Sequence, residues 1–173
     1  MIDHKSRRPR FVLLLVALSA CAPTSRDDAT PAAPAPLIGA WRSKLQFTSG
    51  AFAPIKNLEF MYVFNAGGTL TESSNYDGAP PVPPAYGIWR KTGRNRFEAK
   101  YEFYATKPPV AFGEIQKGGG WMPVGRGELT EIIEVSDDDK AFTSAIVYKA
   151  LDLVGNPIVG GGPAIGRGVR LQF

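Results

Sequence analysis

Side chains suited to nucleophilic or acid–base chemistry are scarce in this chain of 173 residues. It contains one cysteine, Cys21, and one histidine, His4, both close to the N-terminus. A Ser-His-Asp triad or a Cys-His pair needs a histidine, and the usual zinc sites need several cysteines or histidines. A lone cysteine also cannot form an intramolecular disulfide. If the N-terminal segment is removed, none of these sites can form, and we expect no cofactor or metal.

Cys21 ends an apolar run that follows a basic start. Residues 1–10 carry four basic side chains and one acidic side chain, and residues 11–18 (FVLLLVAL) are apolar without a break. A basic stretch, a short apolar core and small residues, in this order, are typical of a secretory signal peptide. A transmembrane helix needs about 20 apolar residues, so this run is too short to be one. We therefore expect residues 1–20 to be a signal peptide.

The four residues Leu18-Ser19-Ala20-Cys21 resemble the lipobox of bacterial lipoproteins. The resemblance implies that diacylglycerol is attached to the Cys21 sulfur, that the chain is cut before this cysteine, and that the new N-terminus often carries a further acyl chain such as palmitate. Several acyl chains, at about 0.8 kcal/mol per buried methylene, hold a soluble domain on a membrane. In a Gram-negative host, Ala22 after the cysteine implies the periplasmic face of the outer membrane. A secreted protein with a free thiol is the alternative.

The processed chain would carry little net charge. The whole chain has a net charge of +4, but residues 1–20 contain four of its 20 basic residues and one of its 16 acidic residues, so the remainder has a net charge of +1. This balance gives no electrostatic support for nucleic-acid binding or for a basic lipid-headgroup patch. The chain gives no indication of its oligomeric state.

Proline, alanine and small polar residues dominate the segment after Cys21. With little to bury, residues 21–36 are expected to be the lipidated cysteine and a tether. The remaining residues, 37–173, have the length of one ordinary domain.

Residues 37–173 predict a single all-β domain. Apolar and polar residues alternate with period two between glycine-rich turns. The candidate strands are 41–48, 57–64, 69–76, 86–91, 96–104, 126–135, 141–151 and 165–173. Strands with one polar face, joined mostly by hairpins, favour a single eight-stranded antiparallel up-and-down β-barrel, with a β-sandwich as the alternative. The glycine runs at 118–120 and 160–163 are expected to form loops at the mouth of the barrel.

The first predicted strand opens with Gly39-Ala40-Trp41, which resembles the Gly-x-Trp at the start of lipocalin-like (calycin) barrels. Over residues 39–173, the order of strands and turns is similar to small bacterial barrels of calycin or allene-oxide-cyclase-like type. The lipocalin resemblance implies that Trp41 packs across the closed end of the barrel. Allene-oxide-cyclase-like barrels confine and steer a reactive lipid, but their catalytic motif is not identifiable in this chain, so no catalytic residue is assigned.

Aromatic side chains on the predicted inward faces could line a cavity for a small apolar or amphipathic ligand. The candidates for contact with such a ligand are Phe60, Tyr62, Phe64, Tyr101 and Phe103. The same rings could instead fill the barrel as its core.

Two charged residues, Glu131 and Arg167, fall in alternations that would turn them inward. Glu131 lies between Leu129 and Ile133, and Arg167 lies between Ile165 and Val169. Because a buried charge must be paired or bind something, the two could form a salt bridge or hold the polar end of a ligand. A shift of register by one residue would send both to solvent.

Three functions stay open at this point. The first is a membrane-anchored lipoprotein that binds a small ligand in its barrel, and the second is a structural or protein-interaction lipoprotein with a filled barrel. The third is an enzyme, for which Glu131 would be the carboxylate to inspect. A calcium site in Asp137–Asp139 is disfavoured, because the spacing is not that of a calcium-binding loop and three acids in a turn suit a solvated hairpin.

Overall fold

The computed structural model describes residues 34–76, 84–107, 113 and 122–173. It contains eight strands: β1 (Gly39–Phe47), β2 (Leu58–Phe64), β3 (Thr69–Ser74), β4 (Ala85–Lys91), β5 (Arg96–Lys107), β6 (Met122–Val135), β7 (Ala141–Leu151) and β8 (Pro157–Arg170). Each strand pairs antiparallel with the next, and β1 pairs with β8. The predicted eight-stranded up-and-down barrel is confirmed, and the β-sandwich is excluded. All eight strands belong to one compact unit, Ala33–Phe173.

Several predictions fall on other parts of the chain. The signal peptide, the lipobox with Cys21, most of the tether and the glycine run at 118–120 lie outside the described residues. Within the described ranges, no helix has the length and apolar character needed to span a membrane.

Short turns gather at one end of the barrel, which we call the short-turn end. They join β2 to β3, β4 to β5 and β6 to β7 through residues 65–68, 92–95 and 136–140. Gly68 and Asp139 have φ values of 79° and 56°, a left-handed conformation that glycine and aspartate tolerate. Because the strands alternate in direction, the other connections lie at the opposite end, which we call the long-loop end.

Trp41 closes the short-turn end. Its side chain is fully buried, its Nε1 donates a 2.8 Å hydrogen bond to the carbonyl of Leu37, and its ring lies 5.2 Å from that of Phe142 between centroids. The guanidinium of Arg170 covers the ring at 4.2 Å. Arg170 also donates to the carbonyls of Asp139 and Ile38, each at 2.7 Å, and to that of Pro36. One side chain therefore holds the segment before β1, the β6–β7 turn and the tryptophan together.

The inward faces of the strands form the core. Burial alternates along β1, β2, β6 and β7, as the period-two pattern predicts. Besides the aromatic rings, the buried apolar side chains are Leu37, Leu45, Leu58, Leu70, Ala85, Ala99, Leu129, Ile133, Val135, Ile146, Leu151 and Ala164.

Strand β8 departs from the prediction in extent and in register. It begins at Pro157, so the glycines at 160–162 lie within the strand and do not form a loop at the mouth. At Gly161, an added Cβ would lie 2.5 Å from the carbonyl oxygen of Tyr148, so only glycine permits this close approach of β7. The inward positions of β8 are Ala164, Gly166 and Gly168, and their apolar neighbours in sequence face solvent.

Candidate functional site

Two tyrosines and a carboxylate form a hydrogen-bonded group inside the barrel. Tyr62 of β2, Tyr101 of β5 and Glu131 of β6 each occupy an inward position, and each is at most 1% exposed. The Tyr101 hydroxyl donates to Glu131 Oε2 at 2.9 Å and the Tyr62 hydroxyl donates to the same oxygen at 3.2 Å. The two hydroxyl oxygens are 3.1 Å apart. Glu131 therefore points inward as predicted, and the tyrosines serve as its partners.

Burial sets the protonation of this group. Loss of solvation raises the pKa of Glu131, and hydroxyls of Ser144, Tyr101 and Tyr62 offset part of that rise. Burial also raises the pKa of both tyrosines well above its usual value, and the charge of Glu131 adds to the effect. The tyrosines therefore remain protonated donors at neutral pH.

Three polar atoms near this group are buried without a hydrogen-bond partner among the described residues. They are Glu131 Oε1, Ser144 Oγ and Ser43 Oγ. Ser144 lies close enough to lower the pKa of Glu131, but the two side chains do not make a hydrogen bond of normal geometry. A Cβ added at Gly166 would lie 2.4 Å from Ser144 Oγ and 3.2 Å from Ser43 Oγ, so the glycine leaves room for both hydroxyls.

The expectation that Arg167 points inward is wrong. Arg167 is exposed on the outer face of β8, opposite Thr143 of β7 and Lys44 of β1. On the inner face, a Cβ at Gly168 would lie 2.2 Å from the Phe142 ring, so bulky neighbouring side chains fill the space that β8 leaves free. No Glu131–Arg167 pair exists, and Arg167 cannot hold a ligand inside the barrel.

A cavity of about 240 Å³ lies inside the barrel at its long-loop end. Seven aromatic residues line it: Phe47, Phe52, Phe60, Tyr76, Phe103, Tyr104 and Tyr148. Four of their rings contact one another, with centroid distances of 5.4 Å for Phe47–Phe52 and Phe52–Tyr148 and 6.1 Å for Phe103–Tyr148. Polar lining comes from Glu72, Ser74 and Thr106. Glu72 is 5% exposed, so its carboxylate belongs to the interior.

The predicted ligand-contacting residues separate into two groups. Phe60 and Phe103 line the cavity. Tyr62, Tyr101 and Phe64 do not: the tyrosines bind Glu131, and the Phe64 ring stacks on Tyr62 with a centroid distance of 5.4 Å. The Tyr62, Tyr101 and Phe64 side chains are therefore packed in the interior, and the cavity lies on their long-loop side.

Phe52 and Glu72 are among the cavity residues that sequence reasoning did not single out. Phe52 lies in the β1–β2 connection, where no periodicity marks an inward position. Glu72 did carry a signal, since it alternates with the buried Leu70 in β3. The polar character of that strand concealed it.

A larger depression, of about 520 Å³, lies on the outer face of β4–β7. Its two cationic side chains are already paired, Arg90 with Glu98 in the same lining and Lys100 with Glu128 outside it. It lies on the outer face of the sheet and offers no unpaired cation, so it is a weaker candidate for a small-molecule site than the interior cavity.

The run Asp137–Asp139 forms the β6–β7 turn. Ser136 Oγ donates to Asp138 at 2.6 Å and Asn95 Nδ2 donates to Asp137 at 2.9 Å. Within the described part of the chain, no group of three or more histidine, cysteine, aspartate or glutamate side chains could hold a metal ion.

Comparison with known proteins adds no assignment. No protein-family model, no curated protein and no solved structure matches this chain. The aromatic cavity with its single lining carboxylate, together with the Glu131 group, is therefore the basis on which a function is argued.

Proposed function

We propose that this protein is a membrane-anchored envelope lipoprotein that binds a small amphipathic molecule in the cavity at the long-loop end of its barrel. The observation that supports a ligand is the cavity itself, which is lined by aromatic rings and by a buried carboxylate. Apolar walls with a few placed polar groups are the usual lining of small-molecule sites, where the polar groups orient the ligand.

The volume of the cavity limits the ligand. Typical pockets for drug-sized molecules measure about 300–1,000 Å³, and this cavity measures about 240 Å³. One ring or a short acyl chain fits such a space, whereas a whole phospholipid does not. The packed side chains toward the short-turn end, where Tyr62 and Phe64 stack, limit the depth of the cavity.

Ligand binding is tested by filling the cavity. Ala85 lines the cavity and is 1% exposed, so Ala85→Leu puts a larger side chain into it. The matched control is Ala145→Leu on the exposed face of β7. Each full-length protein would be transferred from membranes into lipid nanodiscs and extracted with organic solvent for mass spectrometry. We expect a compound that is extracted with the wild type and with the control but not with Ala85→Leu. If all three proteins give the same extract and bind none of a panel of small apolar probes, the proposal of ligand binding is wrong.

The lipid anchor rests on the lipobox resemblance at Cys21. Cys21→Ser is expected to stay uncut, to take up no labelled palmitate, and to leave the membrane fraction. A mutant that still sediments with membranes after an alkaline wash would contradict the anchor. Separation of inner from outer membranes on a density gradient tests the location that Ala22 implies.

A second candidate is a structural or protein-interaction lipoprotein. It is supported by apolar side chains on the outer face, where Ile88, Val147 and Ile165 are 65%, 48% and 55% exposed. Exposed apolar patches mark interaction surfaces. Crosslinking in intact cells of the wild type and of Val147→Glu would test this candidate, which predicts a crosslinked product that only the wild type forms.

An enzymatic role has less support. Glu131, the carboxylate singled out for inspection, does not line the interior cavity, and both tyrosine hydroxyls bind its Oε2. A catalytic group must reach the reacting atoms. We therefore assign no catalytic residue.

A further inference from the structure

We propose that the cavity binds a small organic cation, an amine or quaternary ammonium ion on an apolar body, with its positive charge next to Glu72. This inference rests on the proposed ligand-binding function and names the chemical class of the ligand.

The buried charges of the barrel have one sign. Among the described residues, the buried side chains that can carry charge are Glu72 and Glu131, and no lysine or arginine is buried with them. The negative charges of both carboxylates raise the pKa of the Tyr62 and Tyr101 hydroxyls, so both fields reach the centre of the barrel. An anionic ligand would meet this field at close range, and a cationic ligand would be attracted by it.

The two carboxylates differ in what they can reach. Glu131 does not line the cavity, and its carboxylate is hydrogen-bonded by Tyr62 and Tyr101. Glu72 lines the cavity, as does Ser74 two positions along β3. The negative group that a ligand can contact is therefore Glu72.

The rings around the cavity favour the same charge. Four phenylalanines and three tyrosines line the cavity: Phe47, Phe52, Phe60, Phe103, Tyr76, Tyr104 and Tyr148. An aromatic face carries the negative end of the ring quadrupole, and a cation over it gains about 0.5–2 kcal/mol. A carboxylate at one side of an aromatic enclosure is the arrangement that recognises an ammonium group, whose apolar substituents contact the remaining rings.

The test uses two probes of the same shape that differ in charge, phenyltrimethylammonium and its neutral isostere tert-butylbenzene. Binding to the full-length protein in zwitterionic lipid nanodiscs would be measured by calorimetry, with partitioning into empty nanodiscs subtracted. We expect the wild type to bind the cation more tightly than the neutral probe. Glu72→Gln should lower the affinity for the cation about tenfold, or about 1.4 kcal/mol. The affinity for the neutral probe should stay within about twofold of the wild-type value.

Two controls accompany Glu72→Gln. Glu134→Gln removes a carboxylate from the exposed face of β6, and should leave both affinities unchanged. Glu72→Asp keeps the charge at the same position, and should keep the preference for the cation. Circular dichroism and thermal unfolding establish that each variant is folded. If Glu72→Gln does not fold, the comparison of the two probes on the wild type still decides the proposal.

The outcomes separate the two proposals. The proposal of a cationic ligand is wrong if the neutral probe binds the wild type as tightly as the cation, or if folded Glu72→Gln keeps the full preference for the cation. The proposal that the cavity binds a ligand is not affected by either result. If neither probe binds, and Ala85→Leu gives the same solvent extract as the wild type, both proposals fail.

Discussion

The hydroxyl of Tyr101 donates a 2.9 Å hydrogen bond to Glu131 Oε2, and both side chains are shut off from solvent at the centre of the barrel. They come from adjacent strands, and Tyr62 of β2 reaches the same oxygen from across the barrel. Because the carboxylate is buried without a cation partner among the described residues, its ionisation opposes folding.

The stability of the protein should therefore depend on pH through Glu131. Burial raises the pKa of Glu131 in the folded protein, so between its unfolded and folded pKa values the folded state binds more protons. Its contribution is fully present below about pH 4.5 and is lost as pH rises through the folded pKa. We expect the free energy of unfolding of the wild type, minus that of Glu131→Gln, to fall with rising pH in urea titrations. A difference that is constant from pH 4 to 8 would contradict this. Glu134→Gln is the exposed control.

Arg170→Lys should destabilise the short-turn end. Arg170 donates from three separate nitrogens to the carbonyls of Asp139, Ile38 and Pro36. A lysine carries all its donors on one nitrogen, which cannot reach all three carbonyls. We expect a loss of about 1–3 kcal/mol in the free energy of unfolding, measured by chemical denaturation. Arg167→Lys, on the exposed face of the same strand, should change it by less than about 0.5 kcal/mol. Equal effects of the two substitutions would show that Arg170 does not act through these bonds.

Gly168→Ala should also destabilise the barrel, because its Cβ would lie 2.2 Å from the Phe142 ring. Such overpacking costs about 1–3 kcal/mol. In the β2–β3 turn, Gly67→Ala meets nothing within 4 Å and is the matched control. Thermal unfolding of both variants checks the prediction, which fails if Gly168→Ala melts with the wild type.

Ser43→Ala should leave stability unchanged or raise it. Ser43 Oγ is buried without a partner among the described residues, so removing the hydroxyl removes a desolvation cost and breaks no bond to them. Chemical denaturation of Ser43→Ala and of the exposed Ser73→Ala gives the comparison. A loss above about 1 kcal/mol in Ser43→Ala alone would mean that a bound water or ligand satisfies the hydroxyl.

The architecture was predictable because one signal, period-two alternation, is strong in most strands. Trp41, Tyr62 and Glu131 were each assigned to the inward face from this pattern, and each is buried. The up-and-down order followed from the short turns, because a connection of few residues can only join neighbouring antiparallel strands.

The same signal failed where side-chain volume decides the register. In β8, Ile165 and Val169 alternate with glycines, and the pattern favours the apolar residues as the inward set. Inside the barrel, however, the Phe142 ring and the Ser144 hydroxyl already occupy the space, and only glycine fits opposite them. The cavity was beyond the pattern for a related reason. It depends on Phe52, in a connection without periodicity, and on Glu72, whose alternation with Leu70 is concealed by the polar character of β3.

The barrel closes when β8 pairs with β1, and this β1–β8 seam forms late because its strands lie at opposite ends of the domain sequence. Thr48 and Pro163, which pair across it, are 115 positions apart in the chain. During synthesis, β1 exists long before β8, and until β8 arrives both β1 and β7 present open hydrogen-bonding edges of the kind that recruit other chains. A polypeptide that stops short of Pro157 keeps two such edges permanently. The 14 residues of β8, poor in bulky inward side chains, thus make the difference between a closed barrel and a sheet with two open edges.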